Sequence, residues 1–131
     1  MMISTRGRYA LRVLVDLAQH RDDGLVPMKE VARRQDISLK YLERILPVLT
    51  RNGFVAAVQG KGGGYRLAKA PEDCSIGEVL RLMEGDLAPV ACLSCAAPCP
   101  RATDCSTHPL WTEFYQIVNH FFDTKTLADL L

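Results

Sequence analysis

Apolar residues recur at helical spacing in five stretches of this chain and gather into two short strand-like runs between the third and the fourth. From Thr5 to His20 the positions Tyr9, Val13, Leu14, Leu17 and Ala18 fall on one helical face, with Ser4 or Thr5 as the cap. Asp22-Asp23-Gly24 predicts a turn, and Pro27 opens a second helix that runs to Arg34, since proline is tolerated in a first turn. Gln35-Asp36-Ile37 is a short turn, and Ser38 caps a third helix, LKYLERILPVLTRN, with Leu39, Leu42, Ile45, Leu46 and Leu49 as its apolar face. Pro47 is expected to kink this helix and Gly53 to stop it. Phe54 to Val58 then predicts a strand, the glycines from Gly60 to Gly64 a turn, and Tyr65 to Leu67 a returning strand. After a linker at 71–74, Ser75 caps a helix with the stripe Ile76, Val79, Leu80 and Met83. Residues 92–108 carry no period and predict a loop, and a helix resumes at Pro109.

Two short helices joined by a tight turn and followed by a glycine-tipped hairpin predict a winged helix-turn-helix. The expected fold is mainly α with a small β-hairpin wing and a C-terminal dimerisation helix. Residues 1–70 would form the DNA-binding unit; residues 71–131 would hold a linker helix, a cysteine-rich loop at 90–108 and the last helix. In such a unit the second helix enters the major groove by its first turns, which here carry Ser38, Lys40, Tyr41, Glu43 and Arg44. The wing offers Gln59, Lys61, Gly62, Gly63 and Tyr65, where bare backbone can approach a phosphate or a minor groove. The first helix adds Thr5, Arg6, Arg8 and Tyr9; basic residues oppose a positive helix end, and a phosphate bound there would relieve the conflict. The glycine-rich tip has no following helix and no GxxxxGK[ST] pattern, which argues against a nucleotide-phosphate loop.

Charge sharpens this division. The net charge of +1 hides thirteen Lys/Arg against six Asp/Glu in residues 1–69, and three against nine in residues 70–131. A basic half that meets a polyanion and an acidic half that does not is the simplest account. No apolar run is long enough to span a bilayer, and the opening MMISTRGRYA has no signal-peptide core, so a cytoplasmic protein with no membrane partner is expected.

Four of the five cysteines and a histidine fall in CLSCAAPCPRATDCSTH, spaced Cys92-x2-Cys95-x3-Cys99-x5-Cys105-x2-His108. In a reducing compartment clustered cysteines are more often ligands or redox groups than disulfides. The spacing matches neither a two-pair zinc ribbon nor a two-cluster ferredoxin run, so iron–sulfur, zinc and metal-free thiols all stay open, with iron–sulfur favoured. Cys74 reads as a small core filler, and His20 and His120 as structural. The last helix has a wide stripe of Leu110, Trp111, Phe114, Ile117, Val118, Phe121 and Phe122. A second subunit would cover it, with Trp111, Phe114, Val118 and Phe121 at the interface. A small redox enzyme or electron carrier is the reading from another class; no catalytic pair is visible, and the basic half would be unexplained.

The motifs STRGRYALR at 4–12, ISLKYLERIL at 37–46, GKGGGYRLAK at 60–69, SIGEVLRLMEG at 75–85 and CSTHPLW at 105–111 carry a resemblance. The chain resembles, over nearly its whole length, the IscR-like (Rrf-type) winged-helix transcription regulators, whose relatives include the nitric-oxide-sensing NsrR and the iron-sensing RirA. The resemblance implies a homodimer that binds double-stranded operator DNA and carries one iron–sulfur cluster per subunit. It also implies ligation of a 2Fe–2S cluster by three cysteines and a histidine, which carries over to Cys92, Cys99, Cys105 and His108. Family spacing is C-x5-C-x5-C-x2-H, whereas Cys92 to Cys99 is C-x6-C; Cys95 is therefore an alternative ligand. An all-cysteine set of Cys92, Cys95, Cys99 and Cys105 holding a 4Fe–4S cluster also stays open. Glu43 matches the recognition-helix glutamate, while Gln59 stands where IscR has arginine and Lys61 where it has proline. A zinc or cluster-free thiol switch on the same DNA reader is the runner-up.

Overall fold

The computed structural model describes residues 3–94 and 99–131. Among the described residues the fold comprises five α-helices, α1 (Thr5–Gln19), α2 (Met28–Gln35), α3 (Leu39–Arg51), α4 (Ile76–Glu84) and α5 (His108–Asp123), and one hairpin, β1 (Val55–Val58) and β2 (Gly64–Leu67), which packs on α1 and α3. Three helices start on serine caps, as their sequences predict: Ser4 accepts from the Gly7 N–H, Ser38 from Tyr41 and Ser75 from Glu78. Pro27 lies one place earlier than expected, as the cap residue before α2.

The turn between α2 and α3 closes by backbone bonding. Asp36 takes a left-handed φ of 52°, and the Ile37 N–H reaches back to the Ala32 carbonyl at 3.1 Å. Ile37 is buried there, which completes a Schellman-type stop with its hydrophobic contact. The helix α3 continues through Pro47 to Arg51. Its buried face is Leu42, Ile45, Leu46 and Leu49; Leu39, expected on that face, is 44% exposed. Leu39 opens the helix beside the exposed Ser38 and Lys40, so burial begins one turn later.

The hairpin is antiparallel, with Val55 opposite Leu67 and Val58 opposite Gly64. A third segment joins it unannounced by any apolar run: Val26 exchanges two backbone hydrogen bonds of 2.8 Å with Tyr65. This pairing explains Gly64, where a Cβ would fall 2.7 Å from the Val26 carbonyl oxygen. The wing is thus tied to the segment leading into α2.

One core joins α1, α2, α3 and the hairpin through Leu14, Leu17, Val31, Leu46, Leu49 and Val55, with Cys74 buried among them as a filler. Burial pushes the Cys74 thiol pKa up. A second, smaller cluster of Ile76, Leu80, Leu87 and Val118 joins α4 to α5. Val118 therefore does not face outward as the interface reading required: it is 8% exposed and packs within its own chain. No helix among the described residues is long and apolar enough to cross a membrane.

Candidate DNA-binding surface and cysteine loop

The start of α3 presents exposed Ser38, Lys40, Glu43 and Arg44. Its Tyr41 is half-buried, edge-on to Tyr9 of α1 with ring centroids 5.2 Å apart. Arg12 lies over the Tyr9 ring at 5.2 Å, so Tyr9 and Tyr41 serve the packing of α1 on α3 as well as the surface. Thr5, Arg6 and Arg8 are exposed at the start of α1, with Arg8 donating to Thr5 at 3.1 Å. Gln59, Lys61 and Gly62 are exposed at the wing tip, while Gly63 and Tyr65 are half-buried. Gln59 and Tyr65 line a groove of about 240 Å³ with Pro47, Thr50 and Arg51, which brings the wing against the end of α3. Among the described residues, Arg6, Lys40, Arg44 and Lys61 enter no ion pair, so their charge is available to an external anion.

Other arginines are committed inside the fold. Asp16 of α1, 1% exposed, accepts two hydrogen bonds from Arg34 of α2 at 2.9 and 2.7 Å and one from Gln35 at 3.0 Å. Arg12 in turn donates to the side chain and the carbonyl of Gln35. Burial raises the Asp16 pKa, but the bonds from Arg34 and Gln35 and the Arg34 charge outweigh it and hold the carboxyl below its usual range. Sequence reasoning passed over Asp16, though one signal was present. It is a carboxylate set among Val13, Leu14, Leu17 and Ala18, and a charge at such a position needs a partner.

The first turn of α1 has no acidic residue of its own. The structure brings the Glu84 carboxylate there from the end of α4, where it accepts from the Ser4 N–H at 3.0 Å and the Ser4 hydroxyl at 2.6 Å. This internal anion sits at the helix end that also carries the exposed Arg6 and Arg8.

The cysteine loop spans α4 to α5. Cys92 sits in a single helical turn, Ala91–Leu93, and Cys99 and Cys105 follow in irregular chain; all three are half-exposed and free of disulfides. Cys95 lies outside the described residues. His108, expected in the loop, is the first residue of α5 and is half-buried, with Nδ1 3.4 Å from the Thr112 hydroxyl. The Cys105 sulfur lies 3.3 Å from the Thr107 hydroxyl; that bond, with backbone N–H groups of Thr107 and His108, pulls its thiol pKa down and favours thiolate. The donor set suits a soft metal or iron–sulfur centre in its chemistry: reachable thiols and an imidazole, one thiol biased toward the ligating form. The donors are not yet assembled, since no three His, Cys, Asp or Glu side chains among the described residues form a metal-binding group.

Along α5 the exposed residues Leu110, Phe114, Ile117 and Phe121 form one stripe, and Trp111 is half-buried beside it. Of the aromatic residues expected at an interface, Phe114 and Phe121 are the exposed ones, beside Leu110 and Ile117.

A three-helix reader with a hairpin wing, exposed unpaired cations on its recognition helix and a thiol-rich loop beyond it defines a DNA-binding transcription regulator of the winged helix-turn-helix class. Residues 3–131 match the profile of the Rrf2 family, described as iron-dependent transcriptional regulators, and the chain belongs to that family. It is 40% identical to protein rrf2 of Nitratidesulfovibrio vulgaris across 100% of this chain and 87% of that protein. It is 36% identical to the transcriptional regulator IscR of Erwinia tasmaniensis, over 100% of this chain and 79% of that one. Among solved structures, T. potens IscR superposes with a TM-score of 0.79 at 33% identity, covering 99% of this chain and 85% of its own. CymR, the global cysteine regulator of B. subtilis, superposes with a TM-score of 0.81 at 32% identity, covering 99% and 95%.

Proposed function

We propose that the chain is a homodimeric, cytoplasmic regulator whose affinity for operator DNA is set by an iron–sulfur cluster held by Cys92, Cys99, Cys105 and His108. The observation that carries this reading is the placement of the donors: the half-exposed, disulfide-free thiols of Cys92, Cys99 and Cys105 lie between α4 and α5, and His108 is the first residue of α5. A cluster bound there would supply a redox- and iron-dependent crosslink between those helices, because metal-binding free energy is also folding free energy. The protein's own part is to present DNA-contacting groups in one geometry. Glu43 can accept from cytosine N4, Arg44 can meet guanine or a phosphate, and Lys61 can neutralise a phosphate at the wing. A two-fold pair of readers joined along the α5 stripe would address half-sites about one helical turn apart. A 2Fe–2S cluster is favoured, and Cys95 is the substitute or fourth thiolate that would make a 4Fe–4S site.

Anaerobic purification with iron, acid-labile sulfide and zinc assays tests the cofactor. Iron and sulfide near one cluster per chain are expected, with loss in Cys105→Ala. Comparing His108→Ala with Cys95→Ala tests the ligand set: cluster content that survives the first and collapses in the second overturns the assignment of His108. The second reading is a zinc or cluster-free thiol switch. The free and half-exposed state of Cys92, Cys99 and Cys105 favours it, as does the likeness to CymR. Zinc without sulfide, or neither with DNA affinity that follows thiol oxidation, decides for it.

A further inference from the structure

We infer that Glu84 and Asp86, the two carboxylates flanking Gly85, form a hinge that transmits the position of the cysteine loop to the DNA-facing start of α1. Glu84 acts as a positioning residue for the Thr5–Arg8 turn. The inference rests on the regulatory reading above and gives it a route through this chain's own atoms.

On the α1 side one oxygen does most of the holding. Glu84 Oε1 accepts from both the Ser4 N–H, at 3.0 Å, and the Ser4 hydroxyl, at 2.6 Å. The same Ser4 oxygen accepts from the Gly7 N–H at 3.2 Å, so Glu84 fixes the cap that begins α1. Gly7 is buried, and a Cβ there would meet Glu84 Oε1, so the missing side chain is what lets the end of α4 close on α1. The turn gripped in this way carries Arg6 and Arg8, and its N-terminal dipole gains the anion its own first turn lacks.

On the loop side the grip is as specific. Asp86 accepts from the Ala88 N–H at 3.0 Å through one oxygen and from the Ser94 hydroxyl at 2.9 Å through the other. Ser94 is two residues beyond Cys92, within the segment that any ligand held by that thiol must order. Between the grips Gly85 takes a φ of 89°, and Leu87, 1% exposed, anchors the turn in the second core. A displacement of Ser94 therefore reaches Ser4 through two carboxylates one residue apart on either side of a rigidly seated turn. Residues 4 and 84 are distant in sequence, so local capping by neighbours does not account for the contact.

The test uses the full, reduced, metal-free chain, and DNA selected in vitro by the unmodified protein. Hydrogen exchange over residues 3–9 should rise in Glu84→Ala and return to normal in Glu84→Gln, which keeps the acceptor oxygen. Asp86→Ala should raise exchange at 3–9 as well as at 86–94, and should weaken DNA binding about fivefold, the lower range of ordinary coupling. In the Glu84→Ala background the same Asp86 substitution should change neither readout at the distant site. Exchange confined to 86–94, or effects of the two substitutions on DNA affinity that simply multiply, would overturn the hinge. These arms need no cluster, so a chain that fails to bind iron refutes the cofactor while leaving the hinge to be judged on its own result.

Discussion

Removing the buried carboxylate of Asp16 should cost more than any surface charge in this chain and should do so through one named partner. In Asp16→Ala the Arg34 guanidinium loses both short hydrogen bonds, and Gln35 loses its acceptor. Breaking a buried pair by removing one member costs about 3–5 kcal/mol when the orphan stays dry. Arg34 is not fully dry: its side chain is 22% exposed, and Glu30 lies 3.4 Å from its other terminal nitrogen. The expected loss is therefore about 2–3 kcal/mol, below the buried-pair range because the orphan can reach water. For a chain of this size that corresponds to a fall in Tm of roughly 8–12 °C. The assay is urea and thermal unfolding at fixed protein concentration, with Asp16→Ala, Arg34→Ala and the double variant closing a cycle. A loss under about 0.5 kcal/mol in Asp16→Ala, or a double variant whose loss equals the sum of the singles, would refute the pairing.

The pH dependence has a defined sign. The native Asp16 pKa lies below its unfolded value, so the stabilisation is present above the unfolded value and is lost as pH falls through the native one. Asp16→Asn should remove that part of the acid-side decline and leave the rest. Because Asp16, Arg34 and Gln35 tie α1 to the first helix of the helix-turn-helix, DNA affinity should fall with stability in these variants.

Three further outcomes follow from the surface. Lys61→Ala should weaken binding to every duplex alike and lower the salt slope by about one, read by anisotropy across a salt series; an unchanged slope would remove Lys61 from the phosphate contacts. Glu43→Ala should instead flatten base preference in a selection experiment while non-specific affinity holds, and a retained preference counts against its role in reading bases. Phe114→Asp should leave the monomer folded, since Phe114 is 42% exposed in the single chain, and should weaken self-association by about a thousandfold because the change occurs twice across a two-fold axis. Sedimentation reads this, and Val118→Ala is its control: about 1–3 kcal/mol of stability lost with no change in assembly. A dimer undisturbed by Phe114→Asp refutes the α5 stripe.

The backbone plan was legible because its signals are local. Serine caps at 4, 38 and 75, helical periods and a glycine-tipped hairpin are each settled within a few residues, and the structure keeps them. What escaped is what two distant segments decide together. Val26 offers no strand-like run, yet two backbone bonds add it to the wing. Glu84 looks like an ordinary helix-ending acid until its carboxylate is seen on Ser4. Leu39 satisfies the period of α3 but precedes the part of the helix that the core covers. Period reports a face; it does not report where the neighbouring element ends.

Helix α5 shows the same limit and bears on the proposed switch. Apolar residues cover so much of its circumference that spacing alone cannot divide inner from outer. The structure makes the division: Val118, Tyr115 and Phe122 pack toward α4, and Leu110, Phe114, Ile117 and Phe121 face out. Arg81 adds a polar lock on the inner side, donating to Asp123 at 2.6 Å and to Asn119 at 2.7 Å. The helix begins at His108, so one rigid element carries the proposed last ligand at its first residue and the proposed partner face along its length. In the proposed homodimer a ligand at His108 could bias the relation of the two readers, but only by the difference in its affinity for the two arrangements. That condition makes His108→Cys the informative substitution. Thiolate in place of imidazole should keep a cluster and lower its reduction potential, read by redox titration of the cluster-loaded protein. The potential at which DNA affinity changes should then move down with it. A reduction potential that His108→Cys leaves unchanged, with cluster content retained, would take His108 out of the ligand set.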